Sequence, residues 1–276
     1  MDFSLGAAMR GIISVLAGSE GGRRLLERSI DSAQRSMGIG SGADVDSSGE
    51  RIVLDLLRRS SDSIRPLCIL DVGSNQGQFL KLLLSELSEI PHQIHCFEPS
   101  PSTFAILRAN AAEQPNVTFN MFGLGSASGE FDLFSDSTGS GLASLSKRRL
   151  DHFNIEFNHS ERIEIRTLDS YCDEKNIGNI DLLKIDVEGH ELEVLNGGVR
   201  MFSERRIQML TFEFGGCNID SRTFFQDFYY FLNSHGMSSI FRIMPSGGLH
   251  KITSYHEELE QFRTTNFIAL RNGGTA

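Results

Sequence analysis

The run Asp71-Val72-Gly73-Ser74-Asn75-Gln76-Gly77-Gln78-Phe79 follows an apolar stretch and opens a helical one. Gly73 and Gly77 permit torsions and a close backbone approach that a β-carbon would block. The helix start just beyond them offers free N–H groups to a carboxylate or a phosphate. The spacing is G-x-x-x-G, not the G-x-G-x-x-G of dinucleotide enzymes, so a pyrophosphate is the poorer match. One strand further on, Cys96-Phe97-Glu98-Pro99-Ser100 sets an acid at a strand's carboxyl end. Glu98 can there accept two hydrogen bonds from a ribose diol; the alternative is a carboxylate favouring the start of the next helix. A third run, Gly123-Leu124-Gly125-Ser126, follows the next strand and is placed to flank the base of the same nucleoside.

These runs need a scaffold, and the pattern supplies one. Apolar strand-like segments at 67–72, 93–97, 117–122, 180–186, 207–214, 238–243 and 266–271 alternate with helical ones at 51–59, 78–87, 102–112, 191–202 and 223–234. Such alternation implies right-handed crossovers and a mainly parallel, doubly covered α/β sheet of seven strands. Residues 129–165 break the rhythm with Gly, Ser and alternating EFDLF and RIEIR, which predicts an inserted β flap. A Gly-, Ser- and Asp-rich joint at 37–50 separates this core from a helical stretch at 4–35. We therefore expect an N-terminal helical extension and linker over 1–49 and a catalytic domain over 50–276. The extension reads as packed on the domain, as a lid, or as a partner or membrane-surface helix.

With 39% hydrophobic and 22% charged residues the chain buries a core and is not disordered. Its 26 Lys and Arg against 36 Asp and Glu leave a net charge of −10, which argues against a nucleic-acid partner. Four scattered cysteines read as reduced thiols. No apolar run reaches membrane-spanning length, and GIISVLAG (11–18) is too short and too soon continued to read as a cleaved signal. A cytoplasmic location without stable membrane insertion is expected; homo-oligomerisation is left open.

At DVGSNQGQF (71–79), FEPSP (97–101), GLGSASGE (123–130), TLDSYCDE (167–174) and IDLLKIDVEGHELEVLNGG (180–198) the sequence resembles the FkbM family of S-adenosylmethionine-dependent methyltransferases. The resemblance covers roughly residues 50–272. It implies a Rossmann-like, seven-stranded class I methyltransferase fold with its last strand antiparallel. It also implies methyl transfer to a hydroxyl of a sugar, glycan or natural product. By this likeness Asp71, Gly73, Ser74, Asn75, Gly77 and Phe79 form the methionine-side motif. Glu98, with Pro99 and Ser100, takes the ribose, and Leu124, Gly125 and Ser126 lie beside the adenine.

Methyl transfer from a sulfonium needs alignment and exclusion of water, and a hydroxyl acceptor must also lose its proton. Asp186-Val187-Glu188-Gly189-His190-Glu191 supplies candidates at the end of the fourth strand, beside the expected donor. His190 is the first choice of base, with Asp186 or Glu188 next; Asp186 also borders the donor. As alternatives, Glu188 and Glu191 favour a helix N-terminus, and His190 is a surface or capping residue. Asp186, Glu188 and Glu213 have the oxygen chemistry of a magnesium site, but no metal-specific spacing enforces one, and no metal is assigned. No histidine spacing suits zinc. Lys184 shares a strand face with Asp186 and reads as its ion-pair partner. His152 and His159 fall in the flap, where they are acceptor-contact candidates. The FFQDFYYF run (224–231) reads as core packing. Rival readings are an NAD-type oxidoreductase on a related sheet, a methyltransferase acting on nucleic acid or amines, and a nucleoside-binding module without catalysis.

Overall fold

The computed structural model describes residues 2–42, 47–61, 65–111 and 114–271. Part of the predicted 37–50 joint, the end of the predicted helix 102–112, and the side chain of Leu5 lie outside the described residues. The chain begins with α1 (Asp2–Ala17), α2 (Glu20–Ser36) and α3 (Arg51–Ser60). It continues through β1 (Leu67–Val72), α4 (Gln78–Glu86), β2 (His92–Phe97), α5 (Pro101–Asn110) and β3 (Val117–Asn120). Next come β4 (Gly123–Leu124), β5 (Gly129–Ser135), β6 (His159–Arg166) and α6 (Leu168–Glu174). Then follow β7 (Ile180–Ile185), α7 (Glu191–Asn196), α8 (Val199–Ser203), β8 (Ile207–Phe214), α9 (Cys217–Ser221) and α10 (Phe225–Ser234). The last strands are β9 (Ser239–Ile243), β10 (Leu249–Ile252) and β11 (Thr265–Leu270).

The main sheet runs β10-β9-β11-β8-β7-β1-β2-β3. Strands β3, β2, β1, β7 and β8 pair in parallel, and β11 lies antiparallel between β8 and β9. The seven expected strands are present, but the sheet has eight. The additional β10 forms the sheet edge, pairing antiparallel with β9 through a turn over Met244–Gly247, so the last strand is not the sole antiparallel one. Its four-residue LHKI text is too short to register as alternation. The predicted flap is a second sheet of order β4-β6-β5, with a 136–158 excursion joining β5 to β6. The expected third strand stops at Asn120 because the chain turns there into β4.

Central strands are buried on both faces, as continuous apolar runs such as LCILDV and IDLLKI require. Alternate residues divide between two cores. Ile69, Leu182 and Ile94 face Leu54, Leu57, Phe79 and Leu80 of α3 and α4. Leu70, Leu183 and Leu210 face Tyr171, Phe202 and Phe228 of α6, α8 and α10. Phe225, Phe228 and Leu232 put one face of α10 against Phe212, the rings of Phe212 and Phe228 stacking at 4.9 Å. The strand order reverses between β1 and β7, so a crevice opens beyond their carboxyl ends.

Two predicted helices are each broken in two. The 191–202 segment divides at Gly197-Gly198, where a β-carbon on Gly197 would lie 2.0 Å from the Gly125 carbonyl oxygen. The 4–35 stretch divides at Gly18-Ser19; Ser19 caps α2 by accepting from the Gly22 amide. Arg263 reaches Asp31 (2.5 Å) and Gln34 donates to Gln261 (3.0 Å), tying α2 to the segment before β11. Met9, Ile12, Ile13 and Val15 of α1 are exposed. No helix among the described residues is long and apolar enough to cross a membrane.

Candidate active site

A cleft of about 1500 Å³ occupies the crevice. The loop after β1 crosses the end of β7 so tightly that a β-carbon on Gly73, at φ +84°, would fall 1.8 Å from the Asp186 carbonyl oxygen. Gly73 and Ser74 amides both donate to the Phe97 carbonyl (3.0 Å each), locking the loop to β2. Glu98 is bolted to the same loop: one carboxylate oxygen accepts from the Asn75 amide and the other from the Ser100 amide, both at 3.0 Å. Burial pushes this carboxyl up to about 7; the two amide bonds oppose the shift, and Glu161 and Asp71 add to it.

Gly73, Ser74, Asn75, Phe79, Glu98, Pro99, Leu124 and Asp186 line the cleft. Asp71, Gly77, Ser100, Gly125 and Ser126, of the same expected set, are not among its lining residues. Asp71 is wholly buried, 3.5 Å from Lys184 Nζ, and burial raises its pKa. Gly77, at φ +92°, precedes α4. Ser100 caps α5 and donates to Glu161. Gly125 binds the Arg166 carbonyl through its amide, and Ser126 is exposed.

The lining fits an adenosine. Each Glu98 oxygen keeps a lone pair for a ribose hydroxyl after its amide bond. Asn75 Oδ1 is buried with no hydrogen-bond partner in the protein. Leu124 and Pro99 share the cleft wall with Leu133, Ala143, Leu145, Ile163 and Ile165, an apolar surface of the kind a base packs on. The contribution of the flap to this surface was not legible beforehand, since only alternation marked it.

The second group sits at the end of β7. Glu188 and Gly189 both have positive φ, +52° and +101°, and a β-carbon on Gly189 would press on the Cys217 carbonyl at 2.9 Å. Glu191 folds back beneath this turn, fully buried, and accepts from the Val187 and Gly189 amides at 3.1 and 3.0 Å. It thus organises the loop, beyond any effect on the helix N-terminus; burial pushes it to about 7. Lys184 pairs with Asp186 at 3.2 Å, as the strand alternation suggested.

His190, Asp186 and Glu188 all line the cleft, with Glu213 beside them. The flap reaches across to them: Ser144 donates to the Glu188 carbonyl (2.7 Å), Ser146 Oγ lies 3.1 Å from His190 Nε2, and Arg148 Nη1 donates to the Glu188 carboxylate (2.5 Å). On the other side Gln76 donates to the Gly139 carbonyl (3.3 Å). The 139–148 strap therefore bridges the β1 and β7 loops. Sequence reasoning missed Ser146 and Arg148; their SLSKRRL surroundings have no periodicity to mark them. Burial lowers the His190 pKa, so its ring is neutral at neutral pH and able to accept a proton. Burial, then Asp186, pushes Glu188 to about 8 against the opposing Arg148. Glu213 is raised well above the usual carboxylate range by burial and by the neighbouring acids. Among the described residues no group of three His, Cys, Asp or Glu side chains is disposed to hold a metal ion. His152 lines the cleft and His159 does not.

Residues 71–238, more than half of the chain, match the methyltransferase FkbM domain. The chain is 28% identical over 148 residues to the 2-O-methyltransferase NoeI of Sinorhizobium fredii, covering 50% of this chain and 60% of that relative. It is 29% identical over 150 residues to the hexuronic acid methyltransferase AglP of Haloferax volcanii, covering 54% and 56%. It therefore spans less than two thirds of the length of these relatives. A methyltransferase FkbM structure from Methylobacillus flagellatus aligns with a TM-score of 0.45 at 15% identity, over 87% of this chain and 59% of that one. By the extent of the family match, the chain belongs to the methyltransferase FkbM family.

Proposed function

We propose that this protein is an S-adenosylmethionine-dependent O-methyltransferase acting on a hydroxyl of a sugar, glycan or natural-product small molecule. The observation that carries this reading is the Glu98 carboxylate, fixed by the Asn75 and Ser100 amides at the edge of a cleft that also holds His190. The names of NoeI and AglP support the sugar class. We take residues 50–276 as the catalytic domain and 1–49 as its extension, a division supported by the family match lying wholly inside the former. The net charge of −10 supports a small acceptor over nucleic acid, and four free cysteines support a reducing compartment.

The donor, when bound, supplies a methyl group already activated on a sulfonium. The chain's own tasks are then alignment, exclusion of water and removal of one proton. Glu98 and the apolar surface hold the nucleoside. The 139–148 strap shields the cleft between the two loops. The neutral His190 ring takes the acceptor proton at Nε2, where the Ser146 hydroxyl marks a hydrogen-bonding position. Lys184 holds Asp186 in place at the end of β7.

The test is His190→Gln. Loss of a positioned base lowers turnover roughly 10²–10⁴-fold, while affinity for S-adenosylhomocysteine stays as in wild type. Turnover within a few fold of wild type would move the base role to Asp186 or Glu188.

A further inference from the structure

The outer part of the cleft differs in charge from its inner end. Inside, Asp186, Glu213 and the buried Glu50 lie around Lys184, with Glu188 beside Asp186. Outside, Arg35, Arg149, Arg222 and Arg263 line the same cleft, and the nearly buried Arg148 stands between the two ends on Glu188. Arg35 and Arg263 share one carboxylate, Asp31. Arg148 is matched by Glu188 and by Asp220, 3.7 Å from its Nε. Arg149 and Arg222 are exposed and have no ion pair among the described residues; Asp151 is the one lining carboxylate nearby that is also unpaired.

The two unpaired arginines belong to one neighbourhood. The Arg148–Asp220 contact brings the strap against α9, with Arg149 adjacent on one side and Arg222 two residues along on the other. On its far side α9 follows Gly215, which is packed so closely on Thr264 that a β-carbon would lie 2.9 Å from the Thr264 Cα. That contact brings Arg263 to the start of α9, the end opposite Arg222. Arg222 is also held at φ +60°, in the left-handed region that favours glycine. It caps the end of α9, exposed and lining the cleft. Phe153 and Ile219, both lining and 66% and 49% exposed, add an apolar surface beside these cations.

We propose that Arg149 and Arg222 form an anion-recognition subsite, and that the acceptor is a sugar carrying a carboxylate, sulfate or phosphate. This rests on the O-methyltransferase reading above. Guanidinium forks suit these planar or tetrahedral oxyanions, and charge-assisted bonds to them are the strong kind. The inner end offers the same group no free cation, since Lys184 is already paired with Asp71 and Asp186. The cleft's polarity thus orients the acceptor, its anionic end outward at Arg149 and Arg222 and its hydroxyl inward at His190. A sugar ring between them meets Phe153.

The experiment uses the full chain and matched sugars: a glucoside, the corresponding glucuronide, a 6-sulfate and a 6-phosphate, with a parallel set in the galacto series. Turnover is read as S-adenosylhomocysteine release, and binding is measured to protein saturated with S-adenosylhomocysteine. The acidic members are expected to exceed their neutral partner roughly tenfold or more, with the advantage shrinking as salt rises. In Arg149→Gln combined with Arg222→Gln the acidic-to-neutral ratio falls towards one. The ranking among carboxylate, sulfate and phosphate identifies the anion. Neutral sugars preferred, acidic members that neither bind nor turn over, or a ratio surviving the double variant would each overturn the subsite. Failure of wild type to bind S-adenosylhomocysteine at all would instead remove the methyltransferase reading beneath it.

Discussion

Donor affinity should depend on pH through Glu98, and the size of the effect follows from its surroundings. Its carboxyl sits at about 7 because burial outweighs two amide hydrogen bonds. A ribose diol donates two hydrogen bonds, which only the ionised form accepts on both oxygens. Ionisation of a group at about 7 rises from roughly one tenth at pH 6 to roughly nine tenths at pH 8, so affinity for S-adenosylhomocysteine rises about tenfold across that range. Binding also releases a proton near neutrality, seen calorimetrically as a dependence of the heat on buffer ionisation enthalpy. Glu98→Gln removes the charge and turns an amide NH₂ towards the Asn75 or Ser100 N–H, so a donor faces a donor. Loss of charge-assisted bonds at about 1.5–3 kcal/mol corresponds to roughly 10–100-fold weaker binding. The variant should also lose most of the pH slope. Affinity that is flat or falling with pH in wild type, or an equal slope in both proteins, would refute the reasoning.

Further outcomes follow from other parts of the molecule. Gly73→Ala places a methyl group 1.8 Å from the Asp186 carbonyl at a positive φ, so the loop must move. A free energy of urea unfolding lowered by several kcal/mol, or loss of S-adenosylhomocysteine binding, is expected; a variant matching wild type in both would contradict the close crossing. The apo protein should lose stability between pH 6.5 and 8. Glu98 and Glu191 at about 7 and Glu188 at about 8 hold protons in the folded state that unfolded glutamates have released. Each group still protonated contributes a fall of roughly 1 kcal/mol per pH unit. His95, lowered to about 4, and His190 act in the opposite direction, but only below the ordinary histidine value near 6.5, which leaves this window to the acids. A urea midpoint that rises from pH 6.5 to 8 would refute it.

Much of the sheet was legible because its strands are buried on both faces and read as continuous apolar runs. The glycine turn after β1 and the acid after β2 were legible for the same reason: backbone crossings and strand ends leave their mark in residue type. What escaped depends on tertiary contact. The break at Gly197-Gly198 exists because the Gly125 carbonyl presses there, and nothing local in a helical pattern announces that. The burial of Asp71 beside Lys184, a contact between β1 and β7, is likewise set by tertiary pairing. Glu191 looked like one more acid at a helix start, whereas it is the buried acceptor that shapes the turn carrying His190. The strap contacts of Ser146 and Arg148 come from an irregular segment whose course no periodicity encodes.

Methyl transfer to a sugar hydroxyl in this cleft is the proposed reaction. The most direct measurement supplies S-adenosylmethionine labelled in its methyl group together with the neutral and acidic sugars named above, and follows the label by NMR. A methyl ether on a ring hydroxyl is expected, formed in step with S-adenosylhomocysteine and slowed at limiting donor in Glu98→Gln and throughout in His190→Gln. Label appearing on nitrogen or carbon, or wild-type protein that binds the donor yet leaves every hydroxyl unmethylated, would contradict it.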